Sequence, residues 1–146
     1  MDLKYIVADW SRHKEELSAV RYEVFVIGQN VPVELEVEEA DARYTHILAT
    51  ADGKPVGTAR LTDEGHIGRV GVLKEYRKYG IGKEMMRQIE EVAFELGFDS
   101  VELNSQCHAV PFYEKLGYVA YGEVFSEAGI DHRHMRKSLT GYAKKN

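Results

Sequence analysis

The sequence holds a single cysteine, Cys107, in 146 residues. One thiol cannot close an internal disulfide, and it excludes a zinc site built on several cysteines. No apolar run is long enough to span a bilayer. Met1-Asp2-Leu3-Lys4 lacks the basic-then-apolar order of a secretory leader, so the expectation is a cytoplasmic protein that needs no membrane. Basic residues are outnumbered: 19 Lys and Arg against 24 Asp and Glu give a formal net charge of -5. That balance argues against a general nucleic-acid binder, which needs a basic face. No repeat, low-complexity tract or proline-rich linker divides the chain. Its length suits one domain over residues 1–146, with the basic tail from 139 to 146 frayed.

The chain is organised around Val70 to Lys83, V-G-V-L-K-E-Y-R-K-Y-G-I-G-K. An apolar strand passes through a charged loop into a long amphipathic helix. Gly80 and Gly82 stand where loop becomes helix, and Arg77, Lys78 and Lys83 surround that point. The first turn of a helix has unpaired N–H groups and a partial positive charge, and glycine lets a ligand come close. Together these make a phosphate or pyrophosphate site. A Walker A loop fails, because Glu84 follows Gly82-Lys83 and Arg77 replaces the first glycine. A Rossmann fingerprint fails, because Met85 stands where a third glycine is needed. A plain glycine-rich turn with solvated charges is the competing reading.

Leu3–Ala8 reads as a strand, followed by a helix to about Phe25 on Leu17, Val20 and Val24. Asp9 or Ser11 is its candidate cap. Gln29–Asp41, with Glu34, Glu36, Glu38 and Glu39, lacks a long helical period and reads as an extended acidic loop with room for a short helical turn near Glu38. Such a loop is a solvated surface or, alternatively, an acidic wall for a cationic amine. Thr45–Ala51 and Pro55–Leu61 flank Asp52-Gly53, a strong hairpin signal. Ile67–Leu73 follows, interrupted by Gly68 and Gly71, which mark a bulge or mere packing. The helix over Gly80–Leu96 carries Ile81, Met85, Ile89, Val92 and Leu96 on one stripe, with Met86 also expected in the core. Ser100–Ser105 is a strand parallel to Ile67–Leu73. Ala109–Leu116 is a short helix, Tyr118–Tyr121 a strand, Glu123–Ile130 a connection, and His132–Leu139 the last strand.

This order, with R-x-x-G-x-G at Arg77–Gly82 and F-Y-x-x-x-G-Y at Phe112–Tyr118, resembles the GCN5-related N-acetyltransferases (GNAT). Val24–Val26, Gln29–Pro32 and Glu127–His132 resemble a bacterial subgroup, the ElaA/YjcF-like acetyltransferases, although Gly28 and Asp131 depart from its pattern. The resemblance implies an α/β (α+β) fold: a mixed, mostly antiparallel sheet with a splayed parallel strand pair and flanking helices. It implies an N-acetyltransferase that moves the acetyl group of acetyl-CoA to a primary amine by direct attack in a ternary complex. The acceptor would be a small-molecule amine or a peptide. It also places the CoA site at Val70, Gly71, Val72, Arg77, Lys78, Tyr79, Gly80, Ile81, Gly82, Lys83, Asn104 and Tyr113. Tyr113 matches the catalytic tyrosine near the CoA sulfur. An amphipathic core tyrosine is the other reading of Tyr113.

No carboxylate stands at His66-Ile67-Gly68-Arg69, where some family members carry a base, so the base is His66, another residue or water. His108, His132 and His134 either line the acceptor side or, as the commoner case, sit at the surface. His132 and His134 share a strand face without further ligands, so no metal site is read. Cys107 beside His108 makes no dyad. Another class of function is an acyl-CoA-binding sensor without turnover. A homodimer is the default assembly.

Overall fold

The structure, a computed structural model, describes residues 1–36 and 38–142. The elements are β1 (Leu3–Ala8), α1 (Trp10–Arg21), a π-helical turn (Tyr22–Ile27), α2 (Val33–Glu36), β2 (Thr45–Ala51), β3 (Lys54–Leu61) and β4 (His66–Val72). Then come α3 (Ile81–Glu95), β5 (Ser100–Gln106), α4 (Val110–Lys115), β6 (Val119–Glu127) and β7 (Ile130–Ser138). The strands form one sheet in the order β1-β2-β3-β4-β5-β7-β6. Every pairing is antiparallel except β4 with β5.

Helix α3 covers one face. Ile81, Met85, Met86, Ile89 and Ala93 are fully buried against the sheet. Leu96, expected on that stripe, lies past the last turn and is exposed. On the other face Leu17 of α1 packs with Ala8, Trp10 and Leu48. Asp9 caps α1 by accepting from the Ser11 N–H at 2.9 Å. The Asp52-Gly53 turn has φ of 50° and 84°. Two positive φ values suit the twist of a two-residue hairpin, and Ala51 pairs with Lys54 across it.

Glu123–Ile130, expected as a connection, is instead the outer half of β6 and a two-residue turn. Glu127 pairs with Ile130 across Ala128-Gly129, whose φ values are 51° and 76°. A left-handed alanine is an uncommon turn residue. A register shift between Tyr121 and Phe125 also breaks the alternation that marks a strand. The tail reading changes too. Leu139 is fully buried, and Tyr142 donates its hydroxyl to Glu90 on α3. Residues 143–146 lie outside the described residues.

The pairing of β3 with β4 slips between Thr58 and Arg60. Thr58 faces Gly71 and Arg60 faces Gly68, so two residues of β4 oppose one of β3. This is a β-bulge, and Arg69 within it has φ 50°. Gly71 lies under the π-helical turn. A Cβ there would sit 2.8 Å from Val24 Cγ1 and 3.2 Å from Phe25 Cζ. Val24 is short and branched and cannot swing away, so Gly71→Ala should destabilise the chain by about 1–3 kcal/mol. Urea unfolding checks this, and a midpoint equal to the parent's would contradict it.

Candidate active site

Beyond the bulge, β4 and β5 part. Only His66 with Glu102 and Ile67 with Leu103 are in register, although each strand has seven residues. From Gly68 and Asn104 onward the two strands are not paired. Leu73 N–H donates to Val56 O on β3 at 2.8 Å. Backbone groups alternate along a regular strand, so Val72, next to Leu73 and past the bulge, turns its own toward the gap. Gly71, in register with Thr58, faces β3. Arg77 Nε reaches Val72 O at 2.9 Å, which takes that acceptor at the mouth.

The wide end of the gap leads to the start of α3. Gly80 caps it with φ 71° and no side-chain hydrogen bond. The Glu84 N–H is the first to bond inward, to Gly80 O at 3.1 Å. The N–H groups of Ile81, Gly82 and Lys83 thus precede the helical ladder. Glu84, the one acidic residue in that turn, is held by Arg87 at 2.7 Å and Gln88 at 2.8 Å. Lys78, Tyr79 and Lys83 are exposed. A Cβ on Gly82 would meet Phe112 Cζ at 3.4 Å, which brings α4 against the same turn.

Tyr113 on α4 stacks edge-on with Phe112 and Tyr118. Its hydroxyl bonds to no described residue. Burial pushes its pKa up to about 12, so the hydroxyl stays protonated. Asn104 is the first β5 residue past the last paired rung. Its Nδ2 lies 3.5 Å from Glu127 Oε1, and its Oδ1 lies 2.7 Å from His134 Nδ1.

The acidic segment departs from both sequence readings at two of its carboxylates. Glu36 and Asp41 are buried, and arginines from three elements consume their charge. Arg21 Nε meets Glu36 Oε2 at 2.7 Å, and its Nη2 meets Asp41 Oδ2 at 3.1 Å. Arg60 reaches Asp41 Oδ1 at 3.0 Å, and Arg69 reaches Glu36 Oε2 at 2.9 Å. Arg69 ties the bulge itself to this segment. Neither a solvated loop nor an acidic wall describes those two carboxylates, although Glu39 is exposed. The side chain of Glu34 lies outside the described residues. The partners are 15 to 33 residues away in sequence, so no local pattern pairs them.

Burial raises the Asp41 pKa, but the Arg21 hydrogen bond, the Glu38 N–H, the Arg21 charge and Arg60 outweigh it and bring it to about 2, from 3.8. A depressed carboxyl pKa adds stability that is full above the unfolded value. We expect about 2 kcal/mol of stability to be lost as pH falls from 4 toward 2 through this group. Urea midpoints across that range check it, and Asp41→Asn should flatten the dependence.

His108 is exposed, as the surface reading expects, but the two histidines of β7 differ. His132 is buried and His134 half-buried. Phe125 lies between their rings, with centroids at 5.7 and 4.3 Å, and Tyr121 stacks on His134 at 5.6 Å. Two histidines one residue apart were legible as sharing a face. Their aromatic partners on β6 were not, because that strand reads too short. Burial lowers the His66 pKa, so His66 is neutral near pH 7. Among the described residues no group of three or more His, Cys, Asp or Glu side chains could hold a metal ion. No helix there is long and apolar enough to cross a membrane.

A mixed sheet whose one parallel pair opens beside a helix start with no side-chain cap can hold an extended arm in the gap and an anionic group at the helix end. The acetyltransferase (GNAT) domain family matches residues 12–139. Bacillus subtilis "Uncharacterized N-acetyltransferase YjcF" is 38% identical over 139 residues, 92% of this chain and 99% of that one. Escherichia coli ElaA is 29% identical over 143 residues, 87% of this chain and 94% of that one. The ElaA crystal structure superposes with a TM-score of 0.83 over 94% of this chain and 100% of that chain, at 27% identity. An acyl-CoA N-acyltransferase of Pseudomonas aeruginosa gives 0.83 over 94% and 100% at 31% identity. The chain belongs to the GNAT family, whose members transfer acyl groups from CoA.

Proposed function

We propose that this chain transfers the acetyl group of acetyl-CoA to a primary amine by direct attack in a ternary complex. The carrying observation is the gap that begins at Gly68 and Asn104 and runs to the uncapped start of α3. The pantetheine arm lies in the gap and pairs with β4 as an added strand would. The pyrophosphate takes the N–H groups of Ile81, Gly82 and Lys83, with Arg77, Lys78 and Tyr79 at its rim. Backbone N–H groups of the Val70–Val72 stretch receive the carbonyl oxygen as it gains negative charge.

Tyr113 supplies a hydrogen bond to the departing CoA sulfur. Its pKa of about 12 lies above that of a thiol, near 8.5. Full proton transfer from Tyr113 would therefore be uphill by about 5 kcal/mol, so the hydroxyl stabilises the thiolate as a donor. The thiolate takes its proton from water.

The test is thiol release from acetyl-CoA with a polyamine, an aminoglycoside, an amino-acid amide and an arylalkylamine, beside direct measurement of CoA binding. Release with at least one amine supports the reading. CoA binding without release on any amine would make the chain a sensor, and no CoA binding would remove both readings.

A further inference from the structure

The proton shed by the attacking amine has no acceptor in the account so far, and the obvious carboxylate is missing from β4. We propose that His134 Nε2 takes that proton, with Asn104 as its positioning residue. This rests on the acetyltransferase reading. Asn104 Nδ2 faces Glu127 Oε1, and a carboxylate can only accept, so the amide nitrogen is on that side. The amide oxygen therefore faces His134 Nδ1 at 2.7 Å and accepts from it. That bond puts the single proton of the neutral imidazole on Nδ1 and leaves the Nε2 lone pair open. Nε2 bonds to no described residue and is not among the buried orphan atoms. Stacking on Tyr121 and Phe125 fixes the plane of the ring.

Position separates His134 from its rivals. It is bonded to the first β5 residue past the last paired rung, at the narrow end of the gap. His66 sits one rung inside the paired segment, opposite Glu102. His132 donates from Nδ1 to Ile130 O at 2.6 Å, pairs with Gln106 two residues further along β5, and is buried, with Glu127 Oε2 3.6 Å from its Nε2. Other charged or titratable groups around this site are Arg60 on β3, His66 on β4, Glu102 on β5, Tyr121 and Glu127 on β6, and His132 and Arg136 on β7.

The step balances. The amine lone pair forms the nitrogen–carbon bond, and the carbon–sulfur bond breaks with its electron pair leaving on sulfur. The nitrogen proton passes to His134 Nε2 and then to water, and the thiolate takes one from water.

The experiment follows thiol release against pH, with kcat/KM expressed on the neutral amine so that the amine's own ionisation drops out. Wild type should show an acidic limb that belongs to the base. His134→Gln should lose that limb and about a hundredfold in kcat, with CoA affinity and melting temperature near the parent values. Asn104→Asp should move the limb to higher pH, because a carboxylate on Nδ1 favours the imidazolium. His66→Gln should keep the limb. A His134→Gln protein with the parent's limb and kcat, or loss of the limb in His66→Gln, would overturn the assignment while leaving the acetyltransferase reading intact. Wild type that turns over no amine would overturn both.

Discussion

Tyr113→Phe should slow thiol release from acetyl-CoA about a hundredfold, with CoA affinity and melting temperature nearly unchanged. A preorganised hydrogen-bond donor aimed at developing negative charge contributes on this scale, equal to about 2.7 kcal/mol of barrier. The separation of effects follows from the structure. The Tyr113 hydroxyl bonds to no described residue, while the ring packs against Phe112 and Tyr118. Phenylalanine keeps that packing and strands no partner. Stopped or steady-state thiol assays measure the loss. Parent-like turnover in the variant would return Tyr113 to a core role. A large fall in melting temperature would show that the hydroxyl supports the fold.

Arg21→Met should destabilise the chain by about 3–5 kcal/mol. Arg21 is fully buried and gives hydrogen bonds to both Glu36 and Asp41, and to Glu36 O at 2.7 Å. Methionine fills the space, but two carboxylates lose their main counter-charge in a site that cannot hydrate them. Arg60 and Arg69 would still touch them, which keeps the expected loss from growing further. Urea unfolding reads the effect. Because Arg69 shares Glu36, the bulge of β4 should loosen as well, and CoA affinity should fall even where the variant stays folded. A stable Arg21→Met protein with parent affinity would contradict the network's role.

The sequence carried the site's frame in local signals. Asp52-Gly53 announced a turn that needs two positive φ values. Gly68 and Gly71 bracketed the bulge, and Gly80 marked the helix start. Each rests on a few neighbouring residues with one cheap conformation. Arg21, Glu36, Asp41 and Arg69 belong to the other kind of information. Their charges alone read as solvated or substrate-facing, and only tertiary folding shows them cancelling one another. The β6–β7 hairpin failed for a third reason. Its turn uses a left-handed alanine, and a register shift between Tyr121 and Phe125 hides the strand period. His134 and Phe125 therefore met only in three dimensions.

Backbone amide shifts on titrating the protein with CoA test the central claim most directly. The account predicts the largest changes at Val70, Val72, Ile81, Gly82 and Lys83, from the gap to the first turn of α3. Changes confined elsewhere, such as the apolar groove beside Ser18, Tyr22 and Val26, with those five amides unmoved, would contradict it.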